Sequence, residues 1–75
     1  MVSYKPLYET MKKRKISTYA LIKHGINPRT VNNIKHGKGI STYTIEKLCV
    51  LLECTPNDVL EFVYDENEDE DEDEE

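Results

Sequence analysis

The stretch that decides the fold is "STYALIKHGINPRTVNNIKHG", residues 17–37. Two tetrapeptides recur in and around it: ISTY begins at Ile16 and at Ile40, and IKHG begins at Ile22 and at Ile34. The two copies of ISTY are 24 residues apart and those of IKHG are 12 apart, so they do not belong to one duplicated unit. We interpret both tetrapeptides as local signals that begin and end helices.

ISTY is the signal that begins a helix. Serine is a favoured N-cap residue because its hydroxyl accepts a hydrogen bond from a free backbone N–H of the first turn. With Ser17 as the cap, Ile16 and Leu21 occupy the two positions of a hydrophobic staple. Ser41 has the same place in the second copy. The sequence therefore predicts that a helix begins one residue after each serine.

IKHG is the signal that ends a helix. Glycine adopts the left-handed conformation after a helix at little cost, and Lys or His in the last turn suits the negative end of the helix dipole. Gly25 and Gly37 thus end a second helix over about 18–24 and a third over about 28–36. Between them, Asn27-Pro28 is a start signal, because proline holds Asn27 extended and fits the first helical position.

The same signals predict three further helices. One runs from Pro6 to about residue 14, and another from residue 42 to about 53. The stretch Thr55-Pro56-Asn57-Asp58 resembles a capping box, and the helix after it, to about residue 64, is expected to bury Val59 and Val63. No strand is predicted. The expected fold is all-α: a compact bundle of five short helices in residues 1–64.

Charge divides the chain into a basic body and an acidic tail. Ten of the eleven residues 65–75 are acidic. Residues 1–64 contain ten Lys and Arg and five acids, a net charge of +5, and residues 1–43 alone carry +8. A block of like charge cannot bury a core, so we expect a disordered tail. The tail has two sharper alternatives: it covers the basic face by mimicking phosphate, or it binds a basic partner protein.

The third helix has a polar side that suits DNA. Val31 and Ile34 form its buried stripe, which leaves on the other sides Arg29, Thr30, Asn32, Asn33 and His36. Arginine fits the O6 and N7 atoms of guanine, and asparagine fits the N6 and N7 atoms of adenine. The alternative is an ordinary solvated surface, but two adjacent asparagines inside a helix lower helix propensity without structural return. We therefore predict contact with DNA.

The stretch "STYALIKHGINPRTVNNIKHGKGISTYTIEKLCVLL" resembles the lambda-repressor-like, Cro-type (Xre-like) helix-turn-helix family of bacterial and phage regulators. The resemblance covers roughly residues 5–63 and rests on Gly25 and Ile26 at the turn, Val31 and Ile34, and Gly37. It implies that the third helix is the recognition helix and that the second crosses the phosphate backbone. By the same resemblance, bases are contacted by Asn27, Arg29, Thr30, Asn32 and Asn33. The resemblance also implies phosphate contacts from Thr18, at the start of the second helix, and from Lys35 or Lys38, after the third.

One position departs from the family pattern. The family usually has a small residue four positions before the turn glycine, whereas this chain has Leu21 there and Ala20 beside it. Two alternatives follow: either the second helix is rotated or the turn is one residue shorter.

Several other classes of function lack support in the sequence. No nucleophile, base and orienting group come together in a motif, so we expect a non-enzyme. Cys49 and Cys54 have a spacing that fits no zinc pattern, so neither a metal nor a cofactor is expected. No apolar run is long enough to span a membrane, and we expect a protein of the bacterial or phage-infected cytoplasm.

The expected function is sequence-specific binding of double-stranded DNA by a transcriptional regulator, a repressor. One short helix reads few base pairs, so a two-fold homodimer is expected. The candidate surface for it is apolar: Val50, Leu51, Leu60, Phe62 and Tyr64. The alternative is a protein-binding regulator, antitoxin-like or an anti-repressor, that works through the acidic tail.

Overall fold

The computed structural model of the protein describes residues 1–64. Four helices form its body, in the order α1 (Lys5–Arg14), α2 (Thr18–Lys23), α3 (Pro28–Lys35) and α4 (Thr42–Leu52). A single 3-10 turn, Pro56–Asp58, follows, and the short strands β1 (Val2–Ser3) and β2 (Glu61–Phe62) join the two ends of this part of the chain. The acidic run, which the sequence predicts to be disordered, lies outside the described residues.

Side-chain caps begin three of the helices, as predicted. The Oγ atoms of Ser17 and Ser41 each accept a hydrogen bond at 3.1 Å from the backbone N–H three residues later. The Oδ1 atom of Asn27 accepts one at 2.8 Å from the N–H of Arg29. These bonds satisfy donors that have no partner inside a helix, so the first residue of α2, α3 and α4 is set by the local sequence.

Left-handed residues end all four helices. Gly25 (φ +105°) follows α2 and Gly37 (φ +71°) follows α3, which confirms IKHG as a signal that ends helices. Lys15 (φ 58°) and Glu53 (φ 54°) take the same role after α1 and α4 without being glycine. Because a left-handed residue reverses the chain after each helix, all four short helices can pack against the same core.

One core lies between the four helices and the 3-10 turn. Its buried side chains are Tyr4, Leu7, Met11, Leu21, Ile26, Val31, Ile34, Leu48, Leu52 and Val59. Full burial of an aliphatic side chain of this size contributes about 1.5–3 kcal/mol before the loss of chain entropy. All ten lie in residues 4–59, so the basic body contains its whole described core.

The predicted fifth helix is wrong. The carboxylate of Asp58 does accept a hydrogen bond from the backbone N–H of Thr55, at 3.2 Å, but only a 3-10 turn follows this cap. The chain then forms β2, which pairs antiparallel with β1 so that Val2 lies opposite Phe62. The expectations of five helices and of no strand therefore both fail. A cap determines where a helix can begin but not how far it extends. Here β1 provides hydrogen-bond partners for the backbone of residues 61–62, so these residues form a strand instead.

Strand pairing also changes which side chains near residue 60 are buried. Val59 is fully buried, as predicted, but Val63 is 48% exposed and its predicted burial is wrong. The backbone N–H of Val63 donates to the carbonyl of Met1 at 2.8 Å, and the amino group of Met1 donates to the carbonyl of Val63 at 2.7 Å. The backbone of Val63 is therefore held at the sheet, while its side chain is half exposed.

Candidate nucleic-acid interface

The second and third helices are joined by a four-residue turn that packs on the core. Ile26 in this turn is 2% exposed, and its backbone N–H donates to the carbonyl of Leu21 at 3.0 Å. Leu21 is 1% exposed and is the residue by which α2 enters the core, while Ala20 is only half-buried. Leu21 therefore occupies the position at which α2 packs against the turn and the core.

A polar face runs along α3 and just past its end, opposite the core. It consists of Arg29, Asn32, Asn33 and His36, whose spacing of three, four and seven residues places them on one side of a helix. Arg29, Asn32 and His36 are exposed and Asn33 is half-buried. Val31 and Ile34, 5% and 4% exposed, hold the opposite side against the core. The polar face therefore points away from the body of the protein.

His36 is held in place by the helix that precedes it. Its Nδ1 atom lies 2.8 Å from the backbone carbonyl oxygen of Asn32. A carbonyl oxygen only accepts hydrogen bonds, so Nδ1 carries the proton in this contact. In the neutral ring Nε2 is then an acceptor, and the side chain joins the polar face as a fixed group.

Two of the residues predicted to contact bases, Asn27 and Thr30, lie outside the polar face. The Oδ1 atom of Asn27 is engaged as the cap of α3. Thr30 is half-buried and lies beside the polar face, where it lines a depression of about 250 Å³ together with Tyr43, Thr44 and Lys47. Thr30 therefore faces the start of α4 as well as the edge of α3.

The residues predicted to contact phosphates lie at the ends of α2 and α3. Thr18 is half-buried in the first turn of α2, while Lys35 and Lys38 are exposed at and after the last turn of α3. The carbonyl of Lys38 accepts a hydrogen bond at 2.5 Å from the hydroxyl of Tyr4. Burial raises the pKa of this tyrosine above its usual value. The segment after α3 is thereby fixed to the N-terminal segment.

Lys47 binds the turn between α2 and α3 through a contact that the sequence did not indicate. Its Nζ atom donates to the backbone carbonyl of Gly25 at 2.9 Å and lies 5.6 Å from the ring centre of Tyr43. The sequence does contain a signal for the contact with the tyrosine ring, since ISTYALIK and ISTYTIEK both place a lysine four residues after a tyrosine. Lys23 indeed lies 5.8 Å from the ring centre of Tyr19. The contact with Gly25 depends on tertiary packing and has no sequence signal.

The two cysteines are free thiols at the end of α4. Both are half-buried and pack against the core. Burial, the neighbouring Cys49 thiol and the charge of Asp58 raise the pKa of Cys54 to about 11.

Within residues 1–64, no three His, Cys, Asp or Glu side chains come together as a metal site. None of the helices described above is long and apolar enough to cross a membrane.

A comparison with known families decides what this arrangement is. The Cro/C1-type HTH DNA-binding domain family matches residues 7–65, from α1 to beyond β2. The chain belongs to this family. The predicted resemblance to Cro-type helix-turn-helix regulators is thus confirmed, and the family is one of DNA-binding transcriptional regulators rather than of enzymes.

Two individual proteins are similar to this chain, one in sequence and one in fold. The chain is 40% identical over 58 residues to the HTH-type transcriptional regulator YozG of Bacillus subtilis (strain 168). The aligned region covers 73% of this chain and 69% of YozG. The fold is similar to the crystal structure of the transcriptional regulator VanUg, with a TM-score of 0.80 over 85% of this chain and 87% of that one. Identity to VanUg is 22%, so that likeness concerns the fold alone.

Proposed function

We propose that the protein is a sequence-specific regulator that binds double-stranded DNA, reads the major groove with α3 and represses transcription in the cytoplasm of a bacterium or of a phage-infected cell. The observation that carries the proposal is the polar face of α3, which lies opposite the buried Val31 and Ile34. It lies in a chain whose residues 1–43 carry a charge of +8.

Affinity comes mainly from the phosphate backbone. Lys35 and Lys38, and the hydroxyl of Thr18 at the start of α2, contact phosphates on either side of the groove. Each neutralised phosphate releases counterions, so binding weakens steeply as the salt concentration rises. These contacts set the position of α3 on the duplex but distinguish no sequence.

Specificity comes from the polar face. Arg29 donates two hydrogen bonds to guanine, and Asn32 and Asn33 each pair with the edge of an adenine. His36 presents its Nε2 atom, and Asn27 and Thr30 lie at the near edge of the same groove. A good two-bond contact is worth about 1–3 kcal/mol of discrimination against the wrong base.

Two copies of the protein bind a palindromic operator, because one short helix reads too few base pairs. Of the apolar residues considered for the dimer surface, Val50, Phe62 and Tyr64 are 72%, 64% and 66% exposed. Leu51 and Leu60 pack against the monomer core and contribute less free area. Sedimentation equilibrium with and without a two-half-site duplex tests this stoichiometry; one chain per half-site duplex and two per full site are expected.

The experiment that tests the proposed function compares affinities of matched variants for a specific duplex and for an unrelated one. Arg29→Met and Asn33→Ala should lower affinity for the specific duplex about 5- to 150-fold, the equivalent of 1–3 kcal/mol, and affect the unrelated duplex far less. Asn57→Ala removes an exposed asparagine from the 3-10 turn and should change neither. Equal loss in all three variants, or equal affinity of the wild type for both duplexes, contradicts the proposal. The partner-binding alternative predicts the second of these results.

A further inference from the structure

The two copies of ISTY each contain a tyrosine that neither capping nor core packing requires. The serine of each copy caps its helix, and the isoleucine packs against the core. The tyrosines, Tyr19 and Tyr43, are instead 68% and 67% exposed. Neither tyrosine hydroxyl takes part in a hydrogen bond within residues 1–64. The fold therefore explains the repeated serine and isoleucine but not the repeated tyrosine.

A lysine four positions later lies over each tyrosine ring. The Nζ atom of Lys23 is 5.8 Å from the ring centre of Tyr19, and that of Lys47 is 5.6 Å from the ring centre of Tyr43. We call these the two Tyr–Lys pairs. Each pair presents a hydroxyl, which donates one hydrogen bond, beside an ammonium group, which donates three. Such a set of donors with a positive charge suits an anion that has several acceptor oxygens.

The Tyr43–Lys47 pair lies beside the proposed recognition helix. Both residues line the depression of about 250 Å³ that Asn27 and Thr30, at the start of α3, also line. The ammonium group of Lys47 uses one N–H for the carbonyl of Gly25, 2.9 Å away, which holds it beside the turn. Two N–H groups of Lys47 and the hydroxyl of Tyr43 are then available to a ligand. An anion in this depression would lie at the edge of the groove that α3 is proposed to enter.

The Tyr19–Lys23 pair has the same arrangement in α2. Tyr19 directly follows Thr18, which is itself a proposed phosphate contact. The two pairs belong to the helices before and after α3 in the chain. Three of their four residues lie in residues 1–43, whose charge of +8 attracts anions. The position and the charge of both pairs therefore favour the same kind of ligand.

We propose that each Tyr–Lys pair binds one phosphate of the DNA backbone. The inference rests on the proposed DNA binding and adds these side chains to it. The tyrosine hydroxyl donates to one phosphate oxygen and the lysine ammonium to another, and the lysine offsets the negative charge. Such a contact distinguishes no sequence, since it involves only the backbone. The repeated tetrapeptide thus supplies the same backbone contact twice, in addition to beginning two helices.

The test removes one hydroxyl at a time. Tyr19→Phe and Tyr43→Phe should each weaken DNA binding about three- to tenfold, through the loss of one hydrogen bond to a phosphate. The loss should be equal for the specific and the unrelated duplex, and the double variant should multiply the two losses because the sites are separate. The Tm should equal that of the wild type, since both side chains are exposed.

Tyr8→Phe is the matched control. Tyr8 is also a partly exposed helical tyrosine, in α1, and Lys12 follows it by four positions. In the described part of the chain the Lys12 ammonium does not lie over the Tyr8 ring, so this variant should keep wild-type affinity. Losses in Tyr19→Phe and Tyr43→Phe no larger than in Tyr8→Phe overturn the inference and leave the proposed function intact. A loss confined to the specific duplex also overturns it, because the tyrosines would then contact bases.

Salt dependence separates the two members of a pair. Lys23→Met should reduce the slope of log K against log salt by about 0.9, whereas Tyr19→Phe should leave the slope unchanged because the hydroxyl is neutral. An unchanged slope in Lys23→Met overturns the inference. A wild type that binds both duplexes equally and shows these losses refutes sequence reading by α3 but supports the Tyr–Lys pairs. Binding of neither duplex by the folded wild type refutes both.

Discussion

The ammonium group of Lys47 donates a hydrogen bond to the backbone carbonyl of Gly25, 2.9 Å away, and so joins α4 to the turn between α2 and α3. Gly25 has a φ of +105°, a conformation that side-chain-bearing residues rarely adopt. The direction of α3 depends on this turn and on the burial of Ile26, Val31 and Ile34. Lys47 thus binds the turn with a side chain that belongs to neither α2 nor α3.

Replacing Lys47 with methionine should destabilise the fold modestly. The variant keeps the apolar stem but loses the bond to Gly25, so we expect the free energy of unfolding to fall by about 0.5–1.5 kcal/mol. Urea unfolding measures this loss. Lys23→Met is the matched control, because Lys23 lies over Tyr19 in the same way but has no such backbone partner among the described contacts. Equal losses in the two variants would mean that the bond to Gly25 contributes nothing.

Gly25→Ala should be clearly destabilising because of backbone strain. The added Cβ would lie 3.5 Å from the Nζ atom of Lys47, an ordinary contact, so crowding does not cause the loss. A φ of +105° for alanine costs about 1–3 kcal/mol. Gly39→Ala, where an added Cβ has open space and φ is not positive, is the control and should be nearly neutral. Thermal unfolding that shows the same Tm for both variants would refute this account of the turn.

The thiol of Cys54 should react slowly with iodoacetamide. Its pKa of about 11 leaves about one thiol in a thousand ionised at pH 8. We expect alkylation of Cys54, followed by peptide mass spectrometry, to speed up strongly when the chain is unfolded in urea. The raised pKa of Cys54 also makes the free energy of unfolding depend on pH. Because the folded chain holds this thiol proton more tightly than the unfolded chain, the contribution of Cys54 to stability is complete below the ordinary pKa of 9.0. That contribution is lost as the pH rises toward 11. Rapid alkylation of Cys54 in the folded chain at pH 8 would contradict the burial of this thiol.

The salt dependence of DNA binding should separate the lysines from the asparagines. Lys35→Met and Lys38→Met should each reduce the slope of log K against log salt by about 0.9, because each removes one proposed phosphate contact. Asn32→Ala should lower specific affinity and leave the slope unchanged. Fluorescence anisotropy titrations at four or five salt concentrations give both quantities. A slope that changes with Asn32→Ala and not with the lysine variants would reverse the assigned roles.

The helices could be predicted where their ends depend on neighbours in sequence. Ser17, Asn27 and Ser41 cap their helices through bonds to N–H groups two or three residues away, and Gly25 and Gly37 act through their own φ angle. Such interactions are visible in a short window of sequence. The polar face of α3 follows in turn from the helix start and the positions of its two buried residues.

The features that sequence could not indicate all depend on distant contacts. Strand β2 exists because Val2 lies opposite Phe62, sixty positions later, and two-residue strands are too short to show an alternating pattern. The burial of Tyr4 and its bond to Lys38 have the same origin. The partnership of Lys47 with Gly25 likewise requires α4 to be packed against the turn first.

The most direct test of the central claim is selection of binding sites from a random duplex library, with the wild-type chain and with the Asn32→Ala, Asn33→Ala double variant. The account predicts that the wild type enriches a palindromic motif. The double variant, with wild-type helicity and Tm, should lose the motif or change it at the base pairs that face the two asparagines. Enrichment of the same motif by both proteins, or of none by a folded wild type, would contradict reading of the major groove by α3.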